Sequence, residues 1–93
     1  MALSDAEVDN ALGSLRDWRS EGNAIEREYR FGSFREAISF IVRLAFEAEQ
    51  RDHHPELANV YNRVTIRLTT HDAGGVTEKD IELARAIDGV SWV

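Results

Sequence analysis

The sequence predicts an α+β domain, in which helices pack on one side of an antiparallel sheet. Two observations predict it. Three segments with helical apolar spacing begin at capping motifs, and between them lie segments in which apolar and polar residues alternate. The predicted order is helix, two strands, helix, one or two strands, helix. A chain of 93 residues has room for one domain, over residues 1–93.

The first third of the chain predicts a helix and a hairpin. Ser4 and Glu7 form a capping-box pattern at the start of a helix that extends to about Leu15, and Gly13 either weakens this helix or marks an earlier end. Residues 18–31 alternate, and a Gly-Asn pair interrupts them, so we expect a turn near residues 21–23. One side of the second strand is expected to carry Ile25, Arg27, Tyr29 and Phe31.

The central helix is the longest apolar segment. Ser33 and Glu36 form a second capping-box pattern, and Pro55 is expected to end the helix because proline disfavours helical backbone at the residue before it. Its main stripe comprises Phe34, Ala37, Ile38, Ile41, Leu44, Ala45 and Ala48. Phe40, Val42 and Phe46 widen this surface. The helix is therefore either deeply buried or packed against a partner subunit as well.

The last third predicts a strand, a turn and a helix. Residues 60–70 alternate with Val60, Asn62, Val64, Ile66 and Leu68 on the buried side, and residues 57–61 are an alternative separate strand that turns at Asn62. A turn at residues 72–75 precedes a helix capped by Thr77, with Asp80 at its third position and Gly89 at its end.

Composition excludes several classes of function. A net charge of −6 argues against nucleic acid or an anionic membrane as a partner. The absence of cysteine excludes disulfides, thiolate catalysis and cysteine-ligated zinc. The longest apolar-leaning stretch, residues 37–48, is too short to span a bilayer, and residues 1–12 lack a signal-peptide pattern. We therefore expect a cytoplasmic protein with a small-molecule or protein partner.

All three histidines lie between Asp52 and the end of the predicted strand. His53 and His54 are expected just past the central helix, and His71 at the end of a strand, where a cleft can form. Imidazole titrates near neutral pH, so one ring can accept a proton while another donates one. Such a set suits proton transfer without a nucleophile, as in a dehydration. Alternatively, the histidines are exposed polar residues, or together with Glu49 they bind zinc, although the spacing matches no standard zinc motif.

The same residues resemble those of the pterin-4a-carbinolamine dehydratase family. The matching segments are Glu49, His53-His54-Pro55, Tyr61-Asn62-Arg63-Val64, Thr70-His71-Asp72-Ala73-Gly74-Gly75, Thr77-Glu78-Lys79-Asp80 and Leu83-Ala84-Arg85-Ala86-Ile87-Asp88. The resemblance covers roughly residues 31–88. One departure is Leu57, where some members of the family have an aromatic residue.

The resemblance implies a fold and an activity. The family fold is α+β, with helices on one side of a four-stranded antiparallel sheet. Members dehydrate 4a-hydroxytetrahydrobiopterin to quinonoid dihydrobiopterin, without a metal or organic cofactor. This reaction recycles the pterin that an aromatic amino acid hydroxylase releases. Subunits pair through sheet edges, and some pairs join through helices, which implies a homodimer or homotetramer.

By position, the resemblance implies that His53, His54 and His71 are catalytic. His53 and His71 would move protons at N5 and the 4a-hydroxyl, with His54 orienting or sharing that work. The residues expected to bind the substrate are Glu49, Asp52, Pro55, Thr70 and Asp80. The alternative function is a non-catalytic binding or assembly module on the same fold, such as a transcription co-activator or an assembly chaperone.

Overall fold

The computed structural model describes residues 1–92, and it orders them into helices and strands in the predicted sequence. The elements are α1 (Asp5–Leu12), β1 (Arg19–Glu21), β2 (Ala24–Arg30), α2 (Phe34–Gln50), β3 (Glu56–Val60), β4 (Arg63–Leu68), a 3₁₀ turn (His71–Ala73) and α3 (Glu78–Gly89). The prediction of an α+β fold is confirmed.

The four strands form one antiparallel sheet in the order β1-β2-β4-β3. Ile25 pairs with Leu68 and Tyr29 with Val64, and these four residues are buried. Because cross-strand partners share a face, this face lies on the core, as the alternation in the sequence predicts. The intervening pairs, such as Glu26 with Arg67, lie on the opposite and more exposed face.

The hairpins form as predicted, with one correction. Gly22 has a φ of +61°, which suits glycine, and it turns the chain between β1 and β2. Tyr61 and Asn62 form the turn between β3 and β4, so the alternative of a separate strand is confirmed. Val60 therefore belongs to β3 and is 58% exposed, and its predicted place on the buried side of the strand is wrong.

Helix α2 has two apolar faces. Ala37, Phe40, Leu44 and Ala48 face the core. The other face, here called the outer apolar face, is exposed and comprises Phe34, Ile38, Val42 and Phe46. Phe40 is thus a core residue, whereas Phe34 and Ile38 lie outside the main buried stripe. No helix within residues 1–92 is both long and apolar enough to cross a membrane.

The ends of the helices depart from prediction at three points. Helix α1 ends at Leu12 with Gly13 as its C-cap, so its expected extension to about Leu15 is wrong and the alternative of an early end at Gly13 is confirmed. The Ser33 hydroxyl accepts from the Glu36 amide at 3.1 Å, but the Glu36 carboxylate accepts from Gly32 rather than from Ser33. The second capping box is therefore only half formed. Helix α2 ends at Gln50, well before Pro55, so the predicted terminator is also wrong.

The chain leaves α2 through a left-handed residue. Asp52 has a φ of +48°, and the amides of Asp52 and His53 donate to the carbonyls of Glu49 and Ala48, each at 3.1 Å. This bonding pattern is a Schellman motif, which satisfies the last carbonyls of the helix without proline. It also fixes the backbone from which His53 projects.

Candidate active site

The three histidines line one cleft of about 400 Å³. The Schellman motif places His53 and His54 immediately after α2, and the end of β4 leads into the 3₁₀ turn that begins at His71. A β-bridge between Thr70 and Gly75 closes the loop around this turn. The cleft is lined by Asp52, His53, His54, Thr69, Thr70, His71, Asp72 and Lys79.

A buried carboxylate holds His53. Asp80 is fully buried, with 0% of its surface exposed, and its Oδ1 lies 2.5 Å from Nε2 of His53. Its Oδ2 accepts from the Thr70 hydroxyl at 2.8 Å and from the Thr77 amide at 2.9 Å. The Thr77 contact is also half of the capping box of α3, so the start of this helix orients the carboxylate.

These contacts define the chemistry of the His53 ring. An ionised carboxylate only accepts hydrogen bonds, so Nε2 of His53 carries a hydrogen atom and donates a hydrogen bond to Asp80. The other ring nitrogen, Nδ1, then remains for a further partner. A neighbouring carboxylate also stabilises the imidazolium that forms when Nδ1 takes up a proton. The His53 side chain is only 13% exposed, which shields the pair from solvent.

His54 has a carboxylate partner of a different kind. Its Nε2 lies 2.8 Å from Oε1 of Glu49, in the last turn of α2. The two side chains are 59% and 79% exposed. An exposed pair of this kind contributes at most about 1 kcal/mol, because water screens it. Glu49 therefore orients His54 weakly compared with the way in which Asp80 orients His53.

His71 is exposed, and among the hydrogen bonds within residues 1–92 its side chain has none. Its backbone is held instead, since its carbonyl accepts from the Gly74 amide at 3.0 Å. Gly74 has a φ of +74°, which favours glycine at this turn. His71 thus contributes to the cleft an exposed imidazole that makes no hydrogen bond within the described residues.

The remaining predicted site residues divide into two groups. Asp52 and Thr70 line the cleft, but the Thr70 hydroxyl is already committed to Asp80. Glu49 and Pro55 are outside the lining of the cleft, and Asp80 acts from beneath it.

Sequence reasoning did not single out Lys79, although it lines the cleft. Its position, one residue before Asp80 in the first turn of α3, was the available signal. The histidines and their carboxylates do not converge as metal ligands: within the described residues, no three such side chains form a group able to hold a metal ion.

The arrangement can move protons at two points of one bound molecule. His53 can accept a proton at a carboxylate-supported ring, and His71 can donate one from a ring without such support. A well-placed acid or base accelerates a reaction by roughly 10²–10⁴-fold.

Comparisons with known proteins identify the family of the chain. The family model for pterin 4 alpha carbinolamine dehydratase matches residues 1–90. A relative from Opitutus terrae, provisionally named a pterin-4-alpha-carbinolamine dehydratase, is 62% identical over 98% of this chain and 95% of its own length. A relative from Roseiflexus, provisionally given the same name, is 48% identical over 95% of each chain.

Two solved structures are similar in fold. A transcriptional coactivator/pterin dehydratase from Brucella melitensis superposes with a TM-score of 0.95 at 39% identity, over 99% of this chain and 100% of that one. A pterin dehydratase-like protein identified as a RuBisCO assembly factor shares the fold at a TM-score of 0.67, with 20% identity over 80% of this chain and 86% of that one. Together, the family match and the identities show that the chain belongs to the pterin-4-alpha-carbinolamine dehydratase family.

Proposed function

We propose that this protein dehydrates 4a-hydroxytetrahydrobiopterin to quinonoid dihydrobiopterin and water. The observation that carries this proposal is the cleft with three histidines, one of them held by the buried carboxylate of Asp80. The reaction removes the proton on N5 and breaks the bond between C4a and its hydroxyl oxygen. A C4a–N5 double bond forms, and the hydroxyl leaves as water once it has received a proton.

The geometry supports a division of roles among the histidines. His53 takes the N5 proton on Nδ1, because Asp80 stabilises the resulting imidazolium. His71 supplies the proton to the departing hydroxyl, because it has no carboxylate partner to retain it. His54 orients the substrate or shares one of these transfers, and Glu49 in turn orients His54.

The other predicted site residues have supporting roles in this proposal. The carboxylate of Asp52 accepts hydrogen bonds from N–H groups of the pterin ring. Thr70 and Asp80 act through His53, since Thr70 donates to Asp80. Pro55 fixes the backbone directly after His54. No metal or organic cofactor takes part, because the histidines supply both proton transfers.

The test is the rate of quinonoid dihydropterin formation from freshly generated 4a-carbinolamine, followed by absorbance. We expect wild type to accelerate the reaction, and His53→Ala and His71→Ala each to lose most of the acceleration. His54→Ala should lose less. Equal rates with and without wild type, for protein shown to be folded by circular dichroism, would sink the proposal.

The proposed substrate places the reaction after an aromatic amino acid hydroxylase, in tetrahydrobiopterin recycling. Adding the protein to a hydroxylase assay with limiting pterin should raise the steady-state rate of hydroxylation. The His53→Ala variant is the matched control and should not do so. An equal rise with both proteins would show that the effect does not come from dehydration.

We further propose that the protein is a homodimer or homotetramer. Two exposed apolar surfaces support this assembly: the outer apolar face of α2, and the edge strand β3 with Leu57 and Val60. Phe46→Glu tests the helix face and Val60→Glu tests the strand edge by light scattering. We expect a larger species in wild type and a smaller one in at least one variant. A monomeric wild type at micromolar concentration would overturn the assembly.

The second candidate function is a binding or assembly module. The outer apolar face favours it, since exposed apolar patches mark interaction surfaces. It predicts a persistent protein partner whose binding survives His53→Ala and is lost in Phe46→Glu. If wild type catalyses dehydration and Phe46→Glu alters only its assembly, the outer apolar face serves self-association instead.

A further inference from the structure

Lys79 is the only lysine in the chain, and it lies at the candidate site. The other charged side chains around the cleft, apart from the histidines, are the carboxylates of Asp52 and Asp72. Lys79 is thus the one lining residue that carries an ammonium group. The single lysine of a chain with a net charge of −6 therefore lies at the candidate site.

The backbone of Lys79 is fixed, and its side chain is not. Its amide donates to the Thr77 hydroxyl at 3.3 Å, and the next residue is the buried Asp80. Lys79 takes part in none of the ion pairs found within residues 1–92. The ammonium group therefore starts from a rigid point at the edge of the cleft and is available to a ligand.

Lys79 also borders a second depression. This depression, of about 440 Å³, shares Thr70, Asp72 and Lys79 with the histidine cleft and is otherwise lined by residues such as Leu3 and Ala73. Lys79 therefore borders both spaces, and its ammonium group can reach a ligand that occupies either of them.

The chemistry of the substrate suggests which ligand group Lys79 contacts, and this inference rests on the proposed dehydration. In a pterin, N5 is bonded to both C4a and C6, so the substituent on C6 leaves the ring beside the reacting nitrogen. If N5 lies against a histidine, that substituent lies close to the same histidine, in the cleft that Lys79 also lines. We propose that Lys79 is a specificity-determining residue, whose ammonium donates hydrogen bonds to oxygen atoms on the C6 substituent.

The test compares two carbinolamine substrates, one with a 1,2-dihydroxypropyl group at C6 and one with a methyl group. We expect Lys79→Met to lower kcat/KM for the hydroxylated substrate by roughly 3- to 10-fold, as for a hydrogen bond to an exposed charge. The loss should appear in KM, and the methyl substrate should be unaffected. Lys79→Arg should retain most of the preference.

A control variant distinguishes the loss of a ligand contact from the loss of one positive charge. Arg85→Met removes one positive charge from the same helix, outside the cleft, and should leave both substrates unchanged. An equal loss on both substrates in Lys79→Met, or no loss on either, would overturn the inference.

A binding measurement separates this inference from the reaction itself. Calorimetry with the unreactive 7,8-dihydropterins that carry the same two substituents needs no catalysis. If these ligands show the Lys79-dependent preference but neither carbinolamine is dehydrated, the proposed reaction fails and the role of Lys79 stands. If dehydration proceeds and the preference is the same in wild type and Lys79→Met, the role of Lys79 fails alone. Absence of binding by both ligands to folded wild type also overturns it.

Discussion

Two aspartates of α3 have similar bonding and different surroundings. Asp80 lies in the first turn and is fully buried beneath the cleft, where it holds His53. Asp88 lies about two turns further along the helix. It accepts from Nε1 of Trp18 at 3.0 Å, from Nη1 of Arg27 at 2.8 Å and from the hydroxyl of Tyr29.

The partners of Asp88 pack against one another. Arg27 stacks over the Tyr29 ring with its guanidinium carbon 4.0 Å from the centroid, and Trp18 meets the same ring edge-on. None of these residues lines the histidine cleft. Asp88 therefore fastens α3 to the sheet, whereas Asp80 fastens a ring that lines the cleft.

The number of hydrogen bonds alone therefore does not distinguish a carboxylate that serves the cleft from one that only holds the fold together. Both aspartates have at least three donors. Only Asp80 has a partner whose second reactive atom remains free for a ligand, namely Nδ1 of His53. A substitution in one of these two clusters should therefore leave the other cluster intact.

The largest expected effect is on catalysis. His53→Gln removes the ring that we propose takes the proton, and we expect the catalysed rate to fall by roughly 10²–10⁴-fold. The free energy of unfolding should change by less than about 1.5 kcal/mol, because His53 lies at the edge of the core. A rate assay and a urea titration check the two expectations. A variant that keeps its rate would remove His53 from the mechanism.

The next effect is on stability. Asp88→Asn leaves Arg27 with only the more distant and exposed carboxylate of Asp17, at 3.5 Å, and at least one donor without an acceptor. We therefore expect a loss of about 1–3 kcal/mol in the free energy of unfolding. The dehydration rate should stay within about twofold. Asp9→Asn, at an exposed position on α1, is the matched control and should change stability by less than about 0.5 kcal/mol. Equal losses in both variants would contradict the assigned role.

The same cluster predicts a loss of stability at high pH. Burial raises the pKa of Tyr29 above its ordinary value, and the hydrogen bond and negative charge of Asp88 raise it further. Above pH 10, roughly the ordinary pKa of tyrosine, the unfolded chain releases a proton that the folded chain keeps. The unfolded state then binds fewer protons, so stability falls as pH rises, by up to about 1.4 kcal/mol per pH unit.

Tyr29→Phe removes this titration. Its free energy of unfolding should be lower by about 1 kcal/mol at neutral pH, because the hydrogen bond to Asp88 is lost. Between pH 10 and 11, roughly, it should decline less steeply than that of wild type. Urea titrations from neutral to alkaline pH measure both. Tyr61→Phe, at an exposed tyrosine, should follow the wild-type curve; if it instead flattens the decline as Tyr29→Phe does, Tyr29 is not the source.

The smallest effect concerns the exposed counterpart of the His53–Asp80 pair. Glu49→Gln removes the charge beside His54, and we expect the rate to fall by no more than about fivefold, because solvent screens that pair. The rate at several salt concentrations checks this, since salt should weaken the wild-type pair and not the variant. A loss as large as that in His53→Gln would mean that exposure does not separate the two pairs.

The sequence was sufficient for the order of elements, since capping motifs and alternation are local signals. It did not determine which row of α2 faces the core, because Phe34, Phe40 and Phe46 are equally apolar and the choice depends on the sheet. It placed the end of α2 at Pro55, whereas backbone bonding through Asp52 ends the helix earlier.

The site, like the fold, is only partly predictable from the sequence. The histidines were identified by their clustering and by the resemblance to a family. The contact between His53 and Asp80 joins residues 27 apart in the chain, and that between Trp18 and Asp88 joins residues 70 apart. No local pattern predicts such contacts, which exist only because α3 packs across the core. For that reason the Asp88 cluster was not predicted at all.

The most direct test compares Asp80→Asn with Asp88→Asn in the dehydration assay, on samples shown to be folded. Asparagine at residue 80 can still cap α3, but its amide nitrogen can no longer stabilise an imidazolium at His53. We expect Asp80→Asn to lose at least about tenfold in rate, which is part of the roughly 10²–10⁴-fold that a positioned base contributes, while Asp88→Asn keeps the wild-type rate. Wild-type activity in folded Asp80→Asn, or an equal loss in Asp88→Asn, would contradict the claim that Asp80 equips His53 for catalysis.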